Sequence, residues 1–318
     1  MPKRVLVTGA AGFIGSSAVD ALLARGDEVV GLDNFDSYYE PATKRRNLAH
    51  ASAAFPERFT LVEGDVRDAQ LVGRLCAGRQ FDAIVHLAAL AGVRASIGNA
   101  RDYFDVNVLG TVALLDAARD TGVANFVFAS SSSVYGSADE ASFVESAPCD
   151  RPLAPYPASK RAVELLGHSY HHVHALNFTA LRFFSVYGPR CRPDLMAHKL
   201  LTSLVHGREI ELFGGDMRRD FTYIDDIVAG VVSAVDKPLG YALINLGRGE
   251  PVQLLDFIRT LEELSGARAH LRSAPKPSAD ASHTCADIQR ARTLLGYAPR
   301  TSLRDGLGKL WTWYRSEQ

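Results

Sequence analysis

The chain has 318 residues, 47% hydrophobic and 22% charged, with a formal net charge of -1. That is enough length for a large buried core, as one domain or two closely joined, and the near balance of charge argues against a general binder of nucleic acid or anionic membrane, which would carry a basic excess. No apolar run approaches a membrane span, and Met1-Pro-Lys-Arg4 runs straight into an apolar segment with no room for a signal peptide, so a cytoplasmic protein is expected.

The first predicted element is a strand over residues 3–8, ending in Thr8-Gly9-Ala10-Ala11-Gly12-Phe13-Ile14-Gly15, and an amphipathic helix follows to about Arg25. Gly9 permits the tight turn, Gly12 lets the backbone approach a pyrophosphate, and Gly15 lets helix pack on strand. The pyrophosphate would sit at the helix N-terminus. Glycine triplets also mark ordinary loops; the place of this one, directly after an N-terminal strand, points to a nucleotide. A second strand, 28–32, ends at Asp33, placed to accept from both hydroxyls of an adenosine ribose. A carboxylate there repels a 2′-phosphate and favours NAD over NADP. Lys44-Arg45-Arg46 keeps NADP open but reads as a solvated helix face.

Strand 59–62 leads to Gly64-Asp65-Val66, whose carboxylate could meet an adenine amino group. A helix over 68–77 and a strand over 83–87 come next, and the small residues of Ala88-Ala-Leu-Ala-Gly92 allow close approach of a bound cofactor. A long helix holding Asn107 and a strand over 125–130 continue the alternation. Apolar strands alternating with helices predict an α/β fold with a parallel, doubly wound sheet. His86, ending a buried strand, reads as structural, and His168, His171, His172 and His174 as a solvated helix flank. Cys76, Cys149, Cys191 and Cys285 are far apart with no CxxC pair, which predicts neither a disulfide framework nor a metal site; Cys191 lies in a candidate site loop.

The chemistry concentrates in Ser130-Ser-Ser-Ser-Val-Tyr-Gly136 and Tyr156-Pro-Ala-Ser-Lys160. A phenol and an ammonium at i and i+4 share one helix face. Free tyrosine and lysine have pKa values near ~10 and ~10.4, so neither is a good base alone. Side by side, the lysine's charge should lower the phenol's pKa and make a base for a sugar hydroxyl. A serine hydroxyl from the run could orient the same oxygen. Taken alone, Tyr-x-x-x-Lys also arises by chance on exposed helices; it gains meaning from the N-terminal glycines.

Beyond about Leu181 the loops lengthen. Arg192, Arg218 and Arg219 offer forks for phosphate or carboxylate, though arginines in loops are also ordinary surface residues. A smaller C-terminal α/β lobe is expected from these loops, strands over 209–213 and 221–223, and several helices. Trp311 and Trp313 read as packing or oligomer contacts.

With these motifs in hand, the chain resembles the extended short-chain dehydrogenase/reductase family of nucleotide-sugar enzymes. TGAAGFIG, the Asp33 strand end, GDV, HLAA, SSSSVYG, YPASK and RRDFTYIDD appear in the family's order over nearly the whole chain. Within the family the likeness is greatest to UDP-glucuronate 4-epimerases, through DNFDSYYEP, AGVRASI, SSSSVYG and RFFSVYGPRCRPDLM. The resemblance implies a Rossmann-type NAD-binding domain over 1–180 carrying the Ser/Tyr/Lys site. Residues 181–318 would mainly form the nucleotide-sugar-binding lobe, with some chain crossing back to the sheet. It implies NAD held by Gly9, Gly12, Phe13, Ile14, Gly15, Asp33, Asn34, Asp65, Val66, Leu87, Ala88, Ala89, Asn107, Ser130, Tyr156 and Lys160, the last at the nicotinamide ribose. Tyr156 falls at the base position and Ser131 at that of the catalytic Ser or Thr.

The implied UDP-sugar contacts are Ser131, Ser132, Ser133, Tyr156, Ser185, Arg192, Arg219 and Asp280. Ser185 stands where UDP-glucuronate epimerases usually carry Thr, and with the serine run it could bond a C6 carboxylate. Pro277 and Ala279 depart from the family's usual Arg or Gln and Gly; Lys276 could compensate. The resemblance also implies a homodimer built on helices around 102–120 and 159–174. The reaction implied is C4 epimerisation, hydride out and hydride back through a 4-keto sugar. Its rivals are epimerisation of neutral UDP-glucose or an N-acetylhexosamine, uronate decarboxylation, 4,6-dehydration, and a non-catalytic NAD-sensing module. Dehydration needs an Asp-Glu pair beside the serine motif, which this chain lacks.

Overall fold

A computed structural model of the chain describes all residues except 138–141, 214–216, 276, 278 and 280. The chain lays down strands β1 (Arg4–Thr8), β2 (Glu28–Asp33), β3 (Phe59–Glu63), β4 (Ala83–His86), β5 (Asn125–Ser131) and β6 (Phe178–Phe183). It continues through β7 (Ser185–Tyr187), β8 (Ile210–Phe213), β9 (Arg218–Arg219) and β10 (Phe221–Tyr223). It then returns in β11 (Tyr241–Leu246) and ends its strands with β12 (Val252–Gln253) and β13 (Leu271–Ala274).

Seven strands form one sheet in the order β11-β6-β5-β4-β1-β2-β3, every neighbouring pair parallel. Such a sheet must be covered on both faces, and alternation along β1 does this: Val5 and Val7 join one core cluster, Leu6 the other. The first cluster packs under the helices Phe13–Arg25, Ile224–Asp236 and Gln289–Leu295. The second packs under Ala69–Ala77, Gly110–Thr121 and Pro155–His174. Order reverses between β1 and β4, so the crevice beyond their C-terminal ends is where this architecture binds ligands.

Chain beyond residue 181 crosses back as β11, as the helix Ile224–Asp236, which touches β4, β5 and β6, and as the helix Gln289–Leu295, which touches β11. What remains makes a lobe with its own core, including Tyr187, Leu200, Phe257 and Leu310. Its short strands pair β7 with β10, β8 with β13 and β9 with β12.

The helix holding Asn107 is not uniform. Ala100–Phe104 passes through a π-helical turn at Asp105–Leu109 before Gly110–Thr121 resumes α geometry. One extra residue per turn turns Asn107 towards the loop after β4, a common use of π-turns near functional sites.

Candidate active site

The crevice begins at Gly9, whose φ of +66° suits glycine. A Cβ on it would lie 2.7 Å from the Ala88 nitrogen, and one on Gly15 2.0 Å from the Gly9 carbonyl oxygen. Backbones therefore touch where side chains would intrude. The helix Phe13–Arg25 starts at Gly12 with no side-chain cap, which leaves its first N–H groups and its dipole for an anion. A cavity of about 330 Å³ runs from here past Asp33, Asn34, Asp65, Val66, Leu87, Ala88 and Ala89 to Ser130, Tyr156 and Lys160. Asp33 accepts from the Ala11 N–H (2.9 Å) and the Phe35 N–H (2.8 Å), leaving each oxygen a second acceptor site for a ribose hydroxyl. The cradle, the uncapped helix and the carboxylate together fit a dinucleotide.

Three expectations change here. Asn107 is 1% exposed and is not on the cavity wall: its amide accepts from Leu90 N–H (2.8 Å) and donates to the Leu90 carbonyl (3.0 Å) and Ser159 Oγ (2.9 Å). It fastens the cofactor loop from behind. The Asp65 carboxylate already accepts from Asn34 Nδ2 and three times from Arg67, and these contacts hold its pKa at about 2. An adenine amino group would have to displace one of them. Lys44 is not solvated: it is 7% exposed and lines the cavity, with Nζ donating to the Asp36 carbonyl at 2.6 Å. Burial lowers its pKa. Its helix, Pro41–Asn47, turns Lys44 and Asn47 inward on one face, and a polar inward face gives no apolar signal.

Tyr156 opens the helix Pro155–His174, with Pro155 and Pro157 in the first turn where proline is tolerated. It lines both the cofactor cavity and a second one of about 620 Å³, so the two meet at its ring. Ser159 Oγ donates to its carbonyl at 2.7 Å. Burial raises the Tyr156 pKa; the Ser131 hydroxyl and the charge of Arg192 pull it down without winning. The expected depression by Lys160 is absent, for a geometric reason. Lys160 Nζ stands 6.0 Å from the Tyr156 ring centre and donates to the Ala129 carbonyl at 2.8 Å. Burial also disfavours the ammonium, bringing its pKa down to about 7. Lys160 positions more than it polarises.

Ser131, Ser132, Ser133, Ser185, Arg192 and Arg219 all line the second cavity; Asp280 lies outside the described residues. Ser131 and Ser133 share a hydrogen bond of 2.9 Å. Arg192 grips Asp194 with two bonds (3.0 and 3.1 Å). Burial pushes the Asp194 pKa up, but Arg192 outweighs it and keeps the carboxyl below its ordinary value. Arg219 donates to the Ala281 carbonyl at 2.7 Å and the Arg218 carbonyl at 2.9 Å, which fixes its guanidinium on the wall. Ser130 Oγ is committed to Glu164 (2.6 Å).

Sequence reasoning missed Tyr38, which lines both cavities, Tyr39 in the first, and Arg94, Asp194 and Lys199 in the second. Asp194 had a legible signal, two residues after an arginine in a proline-bounded loop. His86 is structural, as its place predicted. It bridges Thr8 Oγ1 (2.7 Å) and Thr111 Oγ1 (2.8 Å), and burial lowers its pKa to about 3. The four cysteines are unpaired and buried.

A family model described as the NAD dependent epimerase/dehydratase family matches residues 5–247. The UDP-glucuronate 4-epimerase of Thermodesulfobacterium geofontis is 39% identical over 97% of this chain and 95% of its own length. UDP-glucuronate 4-epimerase 4 of Arabidopsis thaliana is 40% identical over 98% of this chain and 75% of its own. Among solved structures, the UDP-glucuronic acid 4-epimerase of Bacillus cereus in complex with UDP-glucuronic acid and NAD superposes with a TM-score of 0.92. It is 36% identical, covering 99% of this chain and all of that one. With its doubly wound sheet, glycine cradle and Tyr156–Lys160 helix, this chain belongs to the NAD-dependent epimerase/dehydratase family.

Proposed function

We propose that this enzyme epimerises UDP-glucuronate at C4 to UDP-galacturonate, with Tyr156 as the acid–base group. The observation that carries the reading is the meeting of two cavities at Tyr156. A dinucleotide-shaped one lies on one side, and on the other is one lined by five serines, Arg192 and Arg219. Small hydroxyls together with arginines suit a carboxylate-bearing sugar on an anionic diphosphate.

Bound NAD supplies an acceptor and donor for the C4 hydride. Tyr156 Oη takes the proton of the 4-hydroxyl and returns it to the ketone oxygen of the turned sugar, so it ends in its starting state. Ser131, which lines the same cavity as Tyr156, orients that oxygen. Ser132, Ser133 and Ser185 bond the C6 carboxylate. Arg192 and Arg219 hold the diphosphate while the sugar turns, and binding far from C4 keeps the reacting atoms in register. Gly9, Gly12, Phe13, Ile14 and Gly15 seat the pyrophosphate, Asp33 the adenosine ribose and Lys160 the nicotinamide ribose.

The protein works as a homodimer in the cytoplasm. Exposed Phe104 and Leu109 on one helix segment and Leu165 and Val173 on the other give a second copy an apolar face to cover. Unpaired cysteines go with a reducing compartment. Turnover of UDP-glucuronate against UDP-glucose tests the assignment: the uronate should be preferred, and equal or reversed preference would refute the role given to Ser132, Ser133 and Ser185.

A further inference from the structure

We propose that the buried Glu164–Arg182 pair is a positioning device for the reaction, fixing how the Tyr156 helix sits on the sheet. The inference rests on the epimerase reading above and concerns residues that line neither cavity. Tyr156, Lys160 and Glu164 follow at i, i+4 and i+8, on one face of the helix. That face docks on two successive residues of β5. Lys160 donates to the Ala129 carbonyl and Glu164 accepts from the Ser130 hydroxyl, while the next residue, Ser131, lines the second cavity with Tyr156.

The Glu164 rung is the most constrained. Its side chain and that of Arg182 are both 0% exposed. Oε1 accepts from Arg182 Nε (2.8 Å) and Ser130 Oγ (2.6 Å); Oε2 accepts from Arg182 Nη2 (2.8 Å) and Arg161 Nη1 (3.0 Å). A carboxylate has about four acceptor sites, and here all are filled. Arg182 lies beside Ser130 in the β5–β6 register, and its guanidinium carbon sits 4.7 Å from the Tyr135 ring centre. From β11, Tyr241 Oη donates to the Glu164 carbonyl at 3.0 Å. Three neighbouring strands therefore hold one residue of the helix, and any slide or roll breaks all these bonds together.

A buried ion pair returns little net stability over an apolar pair of the same volume. What it supplies is direction. The Arg182 fork donates to a carboxylate in one geometry, and two turns away that geometry becomes the placement of Tyr156 Oη against C4. Misplacement of a reacting group by about 1 Å costs about 10²-fold in rate. Glu164 and Arg182 are thus positioning residues for Tyr156 and Lys160.

The test removes both charges together, Glu164→Leu with Arg182→Met, since removing one strands the other. The double variant and the wild-type holoenzyme are compared by thermal midpoint, NAD retained through purification, and kcat and KM for UDP-glucuronate. The expected result is a folded, NAD-loaded variant with KM within about twofold and kcat down about tenfold or more. A folded variant with wild-type kcat overturns the proposal, as does a raised KM at unchanged kcat. If the double variant does not fold, Glu164→Asp decides on the same split, since it keeps the charge but withdraws the carboxylate from Ser130. Lower kcat at unchanged KM supports the proposal and wild-type kcat overturns it. A wild-type protein inactive on UDP-glucuronate would defeat the substrate assignment instead, and the pair would be tested on the UDP-sugar that is turned over.

Discussion

Lys160 donates to the Ala129 carbonyl at 2.8 Å while its nitrogen stands 6.0 Å from the centre of the Tyr156 ring. The lysine is anchored to the sheet, buried, and titrates at about 7. A lysine whose folded pKa is below its unfolded value loses its proton on folding anywhere between the two. The unfolded chain then binds more protons, so stability rises with pH from about 7 towards about 10.4. Lys160→Met should therefore melt above wild type near pH 6, and the gap should narrow as pH approaches 10. A constant gap would mean that Lys160 keeps an ordinary pKa.

Tyr156→Phe removes the phenol proposed as the proton carrier and leaves the dinucleotide cavity unchanged. Turnover should fall by about 10²- to 10⁴-fold, and NAD released by heating the purified variant should match wild type. Surviving turnover would remove Tyr156 from the base role.

Gly9→Ala places a methyl 2.7 Å from the Ala88 nitrogen at a φ of +66°. Both strain and collision oppose it, so stability should drop by at least about 2 kcal/mol and bound NAD should be lost. Denaturant unfolding with NAD quantitation checks both; a variant equal to wild type in the two would show that β1 and β4 do not meet here.

Asp220 is fully buried and accepts from Thr222 Oγ1, Arg248 N–H, Gly249 N–H and Ala286 N–H. Asp220→Asn turns one acceptor into a donor facing two donors. The expected cost is about 3 kcal/mol or more, read as a lower unfolding midpoint with unchanged slope. An unaffected midpoint would mean these contacts carry no weight.

The first five strands of the sheet and the glycine cradle were legible because local signals and tertiary role agree there; β6 and β11 were not singled out. Apolar strands punctuated by Gly9, Asp33 and Asp65 read correctly to within a residue or two. The site was less legible wherever a residue acts through another. Asn107 belongs to the cofactor wall by motif but acts from behind it, because a π-turn re-aims it. Lys44 hid in a basic run. Glu164 and Arg182 lie 18 residues apart in sequence, and only the packing of the helix Pro155–His174 on β5 and β6 brings them together. The Tyr156–Lys160 spacing placed both groups on one face, but spacing alone says nothing of the desolvation that raises one pKa and lowers the other.

The central claim is most directly tested by incubating the purified protein with UDP-glucuronate, with no NAD added, and separating the products. Retained NAD and proton return at Tyr156 predict UDP-galacturonate with no accumulation of NADH. UDP-xylose or a 4-keto pentose would mean decarboxylation. No reaction there, together with conversion of UDP-glucose to UDP-galactose, would contradict the carboxylate-binding role of Ser185 and the serine run.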